Sequence, residues 1–163
     1  MENKELYKGF LTSMRGITSS VNIVSSQSEE KKHAMTASSV ASLSLDPPSM
    51  LICVNKQASI HKILGPGKFF CINVLAKGQS DLANLCSSSE EGDARFNDVH
   101  WSYDEVAPYN TASASNILCK CFDTFQHTSH TVFFGEVVKV LNNNKEGPLL
   151  YGTLIVLPSG IVL

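Results

Sequence analysis

The chain alternates between two hydrophobic periods. In residues 2–15, Leu6, Phe10, Leu11 and Met14 recur at helical spacing, and Gly16 closes the helix they predict. Over residues 17–26 the period shortens to two, with Ser19, Val21 and Ile23 on one side and Ser20, Asn22 and Val24 on the other, which predicts a strand. A polar turn at residues 27–32 follows, so the stretch 36–44 is expected to return antiparallel beside that strand. Residues 49–55 read as a buried strand. Residues 57–64 read as a short helix ended by Gly65-Pro66-Gly67, and 68–75 as the next strand. A capped helix is expected from Gln79 or Ser80 to Leu85. Three further strands are expected at 114–124, 128–141 and 149–157, the last two separated by a turn at 142–148. Six or seven strands, two or three short helices and no regular βαβ alternation predict a mainly β fold, a small closed or split β-barrel. At 163 residues this is one domain, 1–163.

Between Thr36 and Ser44 nearly every side chain is Ala, Ser or Thr, with Val40 and Leu43 as the only larger anchors. A core-filling segment would carry more bulk, because burial stabilises in proportion to apolar area. Small side chains instead let a flat ligand approach the backbone, while hydroxyls and N–H groups offer hydrogen bonds. The alternative is a Ser-rich loop or edge strand with no ligand. Asp46-Pro47-Pro48 ends the stretch, since neither proline has an N–H to give. Ser59, at the start of the expected short helix, is a candidate anion contact. Gly65-Pro66-Gly67-Lys68 is not a nucleotide loop: Phe70 stands where the third glycine belongs, and the glycines end a helix instead of opening one.

Charge narrows the classes. Thirteen basic against fifteen acidic residues give −2, without a basic block, so nucleic acid has no electrostatic footing. No run of 18 apolar residues and no signal-peptide pattern is present, which predicts a cytoplasmic protein that makes no use of a membrane. The five cysteines (Cys53, Cys71, Cys86, Cys119, Cys121) lack framework spacing and read as buried thiols in a reducing compartment. Cys119-Lys120-Cys121 is too tight for a zinc pair, and His127 and His130 do not complete one, so no metal is expected.

Taken together, these motifs resemble the flavin reductase-like family of FMN-binding split barrels, the reductase components of two-component flavin monooxygenases. The resemblance is carried by Phe10, Met14 and Val21-Asn22-Ile23-Val24, then by Met35-Thr36-Ala37-Ser38-Ser39-Val40 with Leu43 to Pro48 and Leu51 to Asn55. It continues through Phe70 to Leu75, Arg95-Phe96 with Trp101, residues 129–137, and Pro148-Leu149-Leu150-Tyr151.

The resemblance implies that Thr36, Ala37, Ser38 and Ser39 run along the isoalloxazine and ribityl chain of FMN (or FAD), with Asn55 and Ser59 near the phosphate. It implies Arg95 as the phosphate countercharge with Phe96 beside it, backbone contacts to the ring edge from around Asn73, and Tyr151 among the flavin-binding residues. It implies His130 as the catalytic residue, beside the ring where the nicotinamide of NADH (or NADPH) docks. The family context there is Gly-Asp-His, and Thr128-Ser129 replaces Gly-Asp; after Tyr151, Gly152-Thr153 replaces the usual basic and aromatic residues. The activity implied is NAD(P)H-dependent flavin reduction, supplying a partner monooxygenase. The alternative is a non-catalytic flavin-binding protein on the same barrel. A homodimer is implied as well, its seam covered by Leu6, Phe10 and Met14 and by the apolar tail 154–163.

Overall fold

The computed structural model describes residues 2–29, 31–88, 92–103, 106–143 and 147–152. Helix α1 (Glu2–Arg15) leads into β1 (Ser19–Ser20), β2 (Asn22–Gln27), β3 (Lys32–Ala37), β4 (Val40–Leu45) and β5 (Pro48–Asn55). After a single 3-10 turn (Ser59–Lys62) come β6 (Phe69–Val74), α2 (Ser80–Ser87) and a second 3-10 turn (Ala94–Phe96). Two short strands, β7 (Trp101–Ser102) and β8 (Tyr109–Asn110), precede the long β9 (Ser115–His127) and β10 (His130–Asn142), and β11 (Leu150–Tyr151) follows.

Seven strands form one antiparallel sheet in the order β3-β2-β6-β9-β10-β5-β4. Its two outer strands, β3 and β4, are consecutive in the chain and are joined only by Ser38 and Ser39. Three residue steps span at most about 11 Å, so the two edges must meet at this end and the sheet curls back on itself. No ladder joins β3 to β4 among the described residues. This is a split barrel, as the sequence predicts.

The expected single strand over 36–44 is therefore two strands. Up to Ala37 it does pair antiparallel with β2, but from Val40 it pairs with β5 at the opposite edge. Nothing in a run of small hydroxyl residues announces that change of partner. The strand expected at 17–26 is likewise interrupted at Val21. Ser19 and Ser20 pair with Tyr151 and Leu150 of β11, and Asn22 to Gln27 pair with β3. The strand expected at 149–157 is seen only in β11, its remainder lying outside the described residues, as does the tail 154–163.

Both faces of β2 and β6 are covered, which is why their apolar positions run on without alternation. Val24, Ile52, Val54, Ile60, Phe70, Ile72, Cys119 and Phe133 fill the barrel interior. Ile23 points the other way, into a cluster with Ala34, Leu75, Leu82, Cys86 and Trp101 that seats α2 on the outside. α2 has Gln79 at its N-cap without a side-chain cap. Its amide oxygen instead accepts from the Ala76 N–H at 2.8 Å. Gly67, at φ +83°, makes the turn into β6. All five cysteines are unbridged. Burial pushes the Cys86 thiol up to about 11 and the Cys119 thiol up to about 12.

Candidate functional site

Three of the expected residues meet at one depression. Thr36 from β3, Ser59 from the 3-10 turn and Arg95 from the second 3-10 turn line a cavity of about 300 Å³, together with Met35, Gln57 and Cys86. Each is placed by a different device. Thr36 donates its hydroxyl to the Ala83 carbonyl at 2.5 Å, tying the strand to α2. Asn55 ends β5 and accepts the Gln57 N–H on its side-chain oxygen at 2.9 Å, and its carbonyl accepts the Ala58 N–H at 3.0 Å, which turns the chain toward Ser59. Ser59 starts only a four-residue 3-10 turn, in place of the helix expected over 57–64, so what it can offer an anion is its hydroxyl and not a helix dipole. One turn has too few aligned peptides for a useful dipole.

Arg95 is buried at 6% exposure. Its Nη1 donates to the Ala34 carbonyl at 2.7 Å, Nη2 donates to the Ser88 carbonyl, and the Trp101 indole donates to the Arg95 carbonyl at 2.8 Å. Its Nε is buried with no hydrogen-bond partner among the described residues. Arg95 is thus a guanidinium held on two sides, with one buried donor unpartnered among the described residues, on a side chain that also lines a cavity. Positive charge is concentrated there. His33, on the wall of an adjoining small cavity that Ser59 and Arg95 also line, has its pKa held below the ordinary histidine value. Burial is the largest cause, followed by the charges of Lys31 and Arg95.

Ser38, Ser39 and Tyr151 line a different depression, of about 420 Å³, whose other wall is apolar: Leu11, Met14 and Ile17. Ser38 and Ser39 are exposed and lie outside any strand. Adjacent residues of one segment thus face a polar cavity through Thr36 and an apolar hollow through the two serines. Ala37, between them, is buried among the barrel residues.

His130 opens β10 and is exposed on the two-residue turn that joins it to β9. Thr128 holds φ +40° in that turn, the left-handed conformation that a glycine takes at no steric cost. Ser129 Oγ lies 2.9 Å from His130 Nδ1, so the serine supplies a partner at the position where Asp was expected. Across the ladder His130 is opposite Asn55, which places it at the same end of the barrel as the turn carrying Ser59.

The sequence of residues 14–154 matches the family pattern described as the flavin reductase like domain. The chain belongs to this family. The reductase component of an FADH(2)-dependent resorcinol hydroxylase from Rhizobium sp. is 30% identical over 147 residues, covering 88% of this chain and 82% of the relative. An FMN reductase (NADH) from Pseudomonas syringae is 27% identical, covering 87% of this chain and 80% of the relative. A solved NADH:FAD oxidoreductase of Streptomyces globisporus, in complex with NAD and FAD fragments, superposes with a TM-score of 0.79 at 27% identity, covering 89% of each chain.

A phosphorylated flavin, the group this family implies, fits the residues present. Arg95, whose Nε has no partner among the described residues, lines a cavity with four hydroxyl residues, Thr36, Ser59, Ser87 and Ser88, and an open, hydroxyl-bearing strap leads from Thr36 to an apolar hollow. Two expectations do not join this arrangement. Asn73 is fully buried in β6, between β2 and β9. Its amide donates to the Ile23 carbonyl and Ser25 Oγ, both at 2.9 Å, and its oxygen accepts from the Asn110 N–H and Asn116 Nδ2. It anchors a loop to the sheet. Phe96 packs on Trp101 with ring centroids 4.9 Å apart and lines a further groove with Lys31, Lys32 and Tyr103. The sequence reading missed this groove, although Lys31-Lys32 and Tyr103 were its only signals.

Proposed function

We propose that this member of the flavin reductase-like family is an NAD(P)H-dependent flavin reductase in which the 36–39 strap carries the flavin. The observation that supports this most is the buried, two-point-anchored Arg95, which lines one cavity with Thr36 and Ser59. Arg95 and Ser59 hold the phosphate. Ser38 and Ser39 give the ring a small, hydrogen-bonding edge, and Leu11, Met14 and Ile17 give it a wall from which water is displaced. With flavin and reduced nicotinamide both bound, the chemistry supplied is hydride transfer between the two rings. The protein's part is to hold the rings in register and dry. His130, oriented through Nδ1 by Ser129, has Nε2 as its remaining polar atom for the nicotinamide amide.

The supply of reduced flavin to an oxygenase follows from the resorcinol hydroxylase relative. NADH is the reductant favoured by the two NADH-named relatives. Among the described residues no helix is long and apolar enough to cross a membrane, and five unbridged thiols suit a reducing compartment such as the cytoplasm. Mixing the protein with FMN and NADH and following NADH absorbance tests the assignment. Steady turnover is expected. A bound flavin that NADH leaves oxidised would instead make the chain a non-catalytic flavin carrier.

A further inference from the structure

We propose that His61 is a positioning residue that ties the flavin-phosphate end of the site to the His130 end. The inference rests on the flavin reductase reading of the Thr36–Ser59–Arg95 cavity and of His130. Ser59 and His61 stand two residues apart on the 3-10 turn Ser59–Lys62. Ser59 lines the cavity, while the His61 ring reaches β10, where its Nε2 lies 2.8 Å from Thr131 Oγ1, within hydrogen-bond distance. Thr131 follows His130 in the strand and is only 3% exposed, so its hydroxyl needs a partner inside the protein. The His61 ring also meets Phe133 edge-on, with centroids 5.5 Å apart and planes at 74°. Phe133 belongs to the barrel interior, so the imidazole is held by packing as well as by its nitrogen.

A four-residue 3-10 turn with no side-chain cap draws little order from its own hydrogen bonds, so it must be fixed from outside. Ile60 anchors it in the barrel core, where that side chain is fully buried. Just ahead of the turn, the Lys56 N–H donates to the Ser129 carbonyl at 2.9 Å. His61 adds the tie to Thr131. The two residues reached, Ser129 and Thr131, flank His130. Side chains alternate along a strand, so Thr131 faces inward and the exposed His130 faces outward. Holding both neighbours fixes the direction in which the His130 side chain leaves β10. The separation of the Ser59 hydroxyl from the His130 ring is thereby set by a bond that touches neither ligand.

Thr131→Val removes the hydroxyl with little change of shape, and His61→Leu removes the ring nitrogen; either serves if the other fails to fold. His61→Gln keeps a nitrogen near the place of Nε2 and is the rescue. The full chain is titrated with FMN and with riboflavin, and reduction by NADH is followed by stopped flow, normalised to bound flavin. Thr131→Val and His61→Leu should weaken FMN about three- to tenfold, the scale of one neutral hydrogen bond, and leave riboflavin unchanged. Both should slow reduction by a similar factor, and His61→Gln should restore affinity and rate. In a His130→Ala background the same substitutions should slow reduction no further, because the tie acts through His130. A packing role alone would lower the melting temperature and leave affinity and rate at wild-type values in the folded fraction. That result would overturn the proposal, as would equal weakening of both flavins, a glutamine that restores neither quantity, or undiminished slowing without His130. The flavin reading survives each of these, since the wild-type chain still binds and reduces FMN. A wild-type chain that binds no flavin ends both.

Discussion

Arg95 Nη1 donates to the Ala34 carbonyl at 2.7 Å, and this single bond pins the 3-10 turn of residues 94–96 to the strand that carries Thr36. The guanidinium is therefore a girder before it is a ligand. Arg95→Ala should lower stability by roughly 2–4 kcal/mol, since two carbonyls lose a charged donor. In the folded fraction, affinity for FMN should fall by about tenfold to a hundredfold, the worth of one charge-assisted contact. Riboflavin, which has no phosphate, should bind as before. Thermal melts with paired FMN and riboflavin titrations check both parts, and equal losses for the two flavins would remove the phosphate from Arg95.

His130→Ala should behave in the opposite manner. The side chain is exposed on a hairpin turn, so stability should stay within about 0.5 kcal/mol. Reduction of bound flavin by NADH should slow by about tenfold to a hundredfold, with the flavin dissociation constant nearly unchanged. Stopped-flow traces normalised to bound flavin give the rate. An unaltered rate would return the catalytic step to the rings alone. Thr128→Gly in the same turn should add about 1 kcal/mol, because it relieves a β-branched residue at φ +40°.

Gly135 in β10 lies so close to its neighbours that an added Cβ would sit 2.5 Å from Phe70 Cζ and 2.8 Å from Cys119 Cβ. Phe70 is fully buried and has nowhere to retreat. Gly135→Ala should cost about 1–3 kcal/mol by overpacking, read as a lowered denaturant midpoint with an unchanged slope.

The pH dependence follows from His33. Its pKa is lowered in the folded protein, so the unfolded chain takes up a proton first as pH falls. The contribution to stability is complete above the ordinary histidine value of about 6.5 and is lost as pH drops below it. His33→Gln should flatten the melting-temperature profile below about pH 6.5; a slope that survives the substitution would assign it elsewhere.

Leu6, Phe10 and Met14 on α1 are 73%, 59% and 45% exposed, and Phe122 and Phe125 on β9 are 52% and 60% exposed. Exposed apolar side chains of this size, above all the row on α1, fit a second copy of the chain. Sedimentation at micromolar concentration should give twice the chain mass, and Phe10→Glu with Met14→Glu should give the monomer. A wild-type monomer that still binds flavin would count against the pairing.

The strands were legible in the sequence wherever a local pattern carries them. α1 ends at Gly16 as expected, and the β2–β3 hairpin and the long β9–β10 pair fall near their expected bounds. What escaped was non-local. The opposition of Asn73 to Asn116 across the β6–β9 ladder is set by a register between residues 43 apart, so nothing in the sequence marked the Asn73 side chain as a buried cross-link. Arg95 lay in a polar run and would pass for a surface residue. Its burial depends on two carbonyls supplied by β3 and by the end of α2.

The split between β3 and β4 has a kinetic meaning. A ligand lying against Ser38 and Ser39 sits where, among the described residues, the β3 and β4 edges of the barrel share no ladder, so its arrival and departure unzip no strand pair. Residence time is then governed by contacts to the ligand itself and not by local unfolding of the host. For a reductase whose reduced flavin is consumed by another protein, a doorway that opens without unzipping a sheet lets the product leave on every turnover.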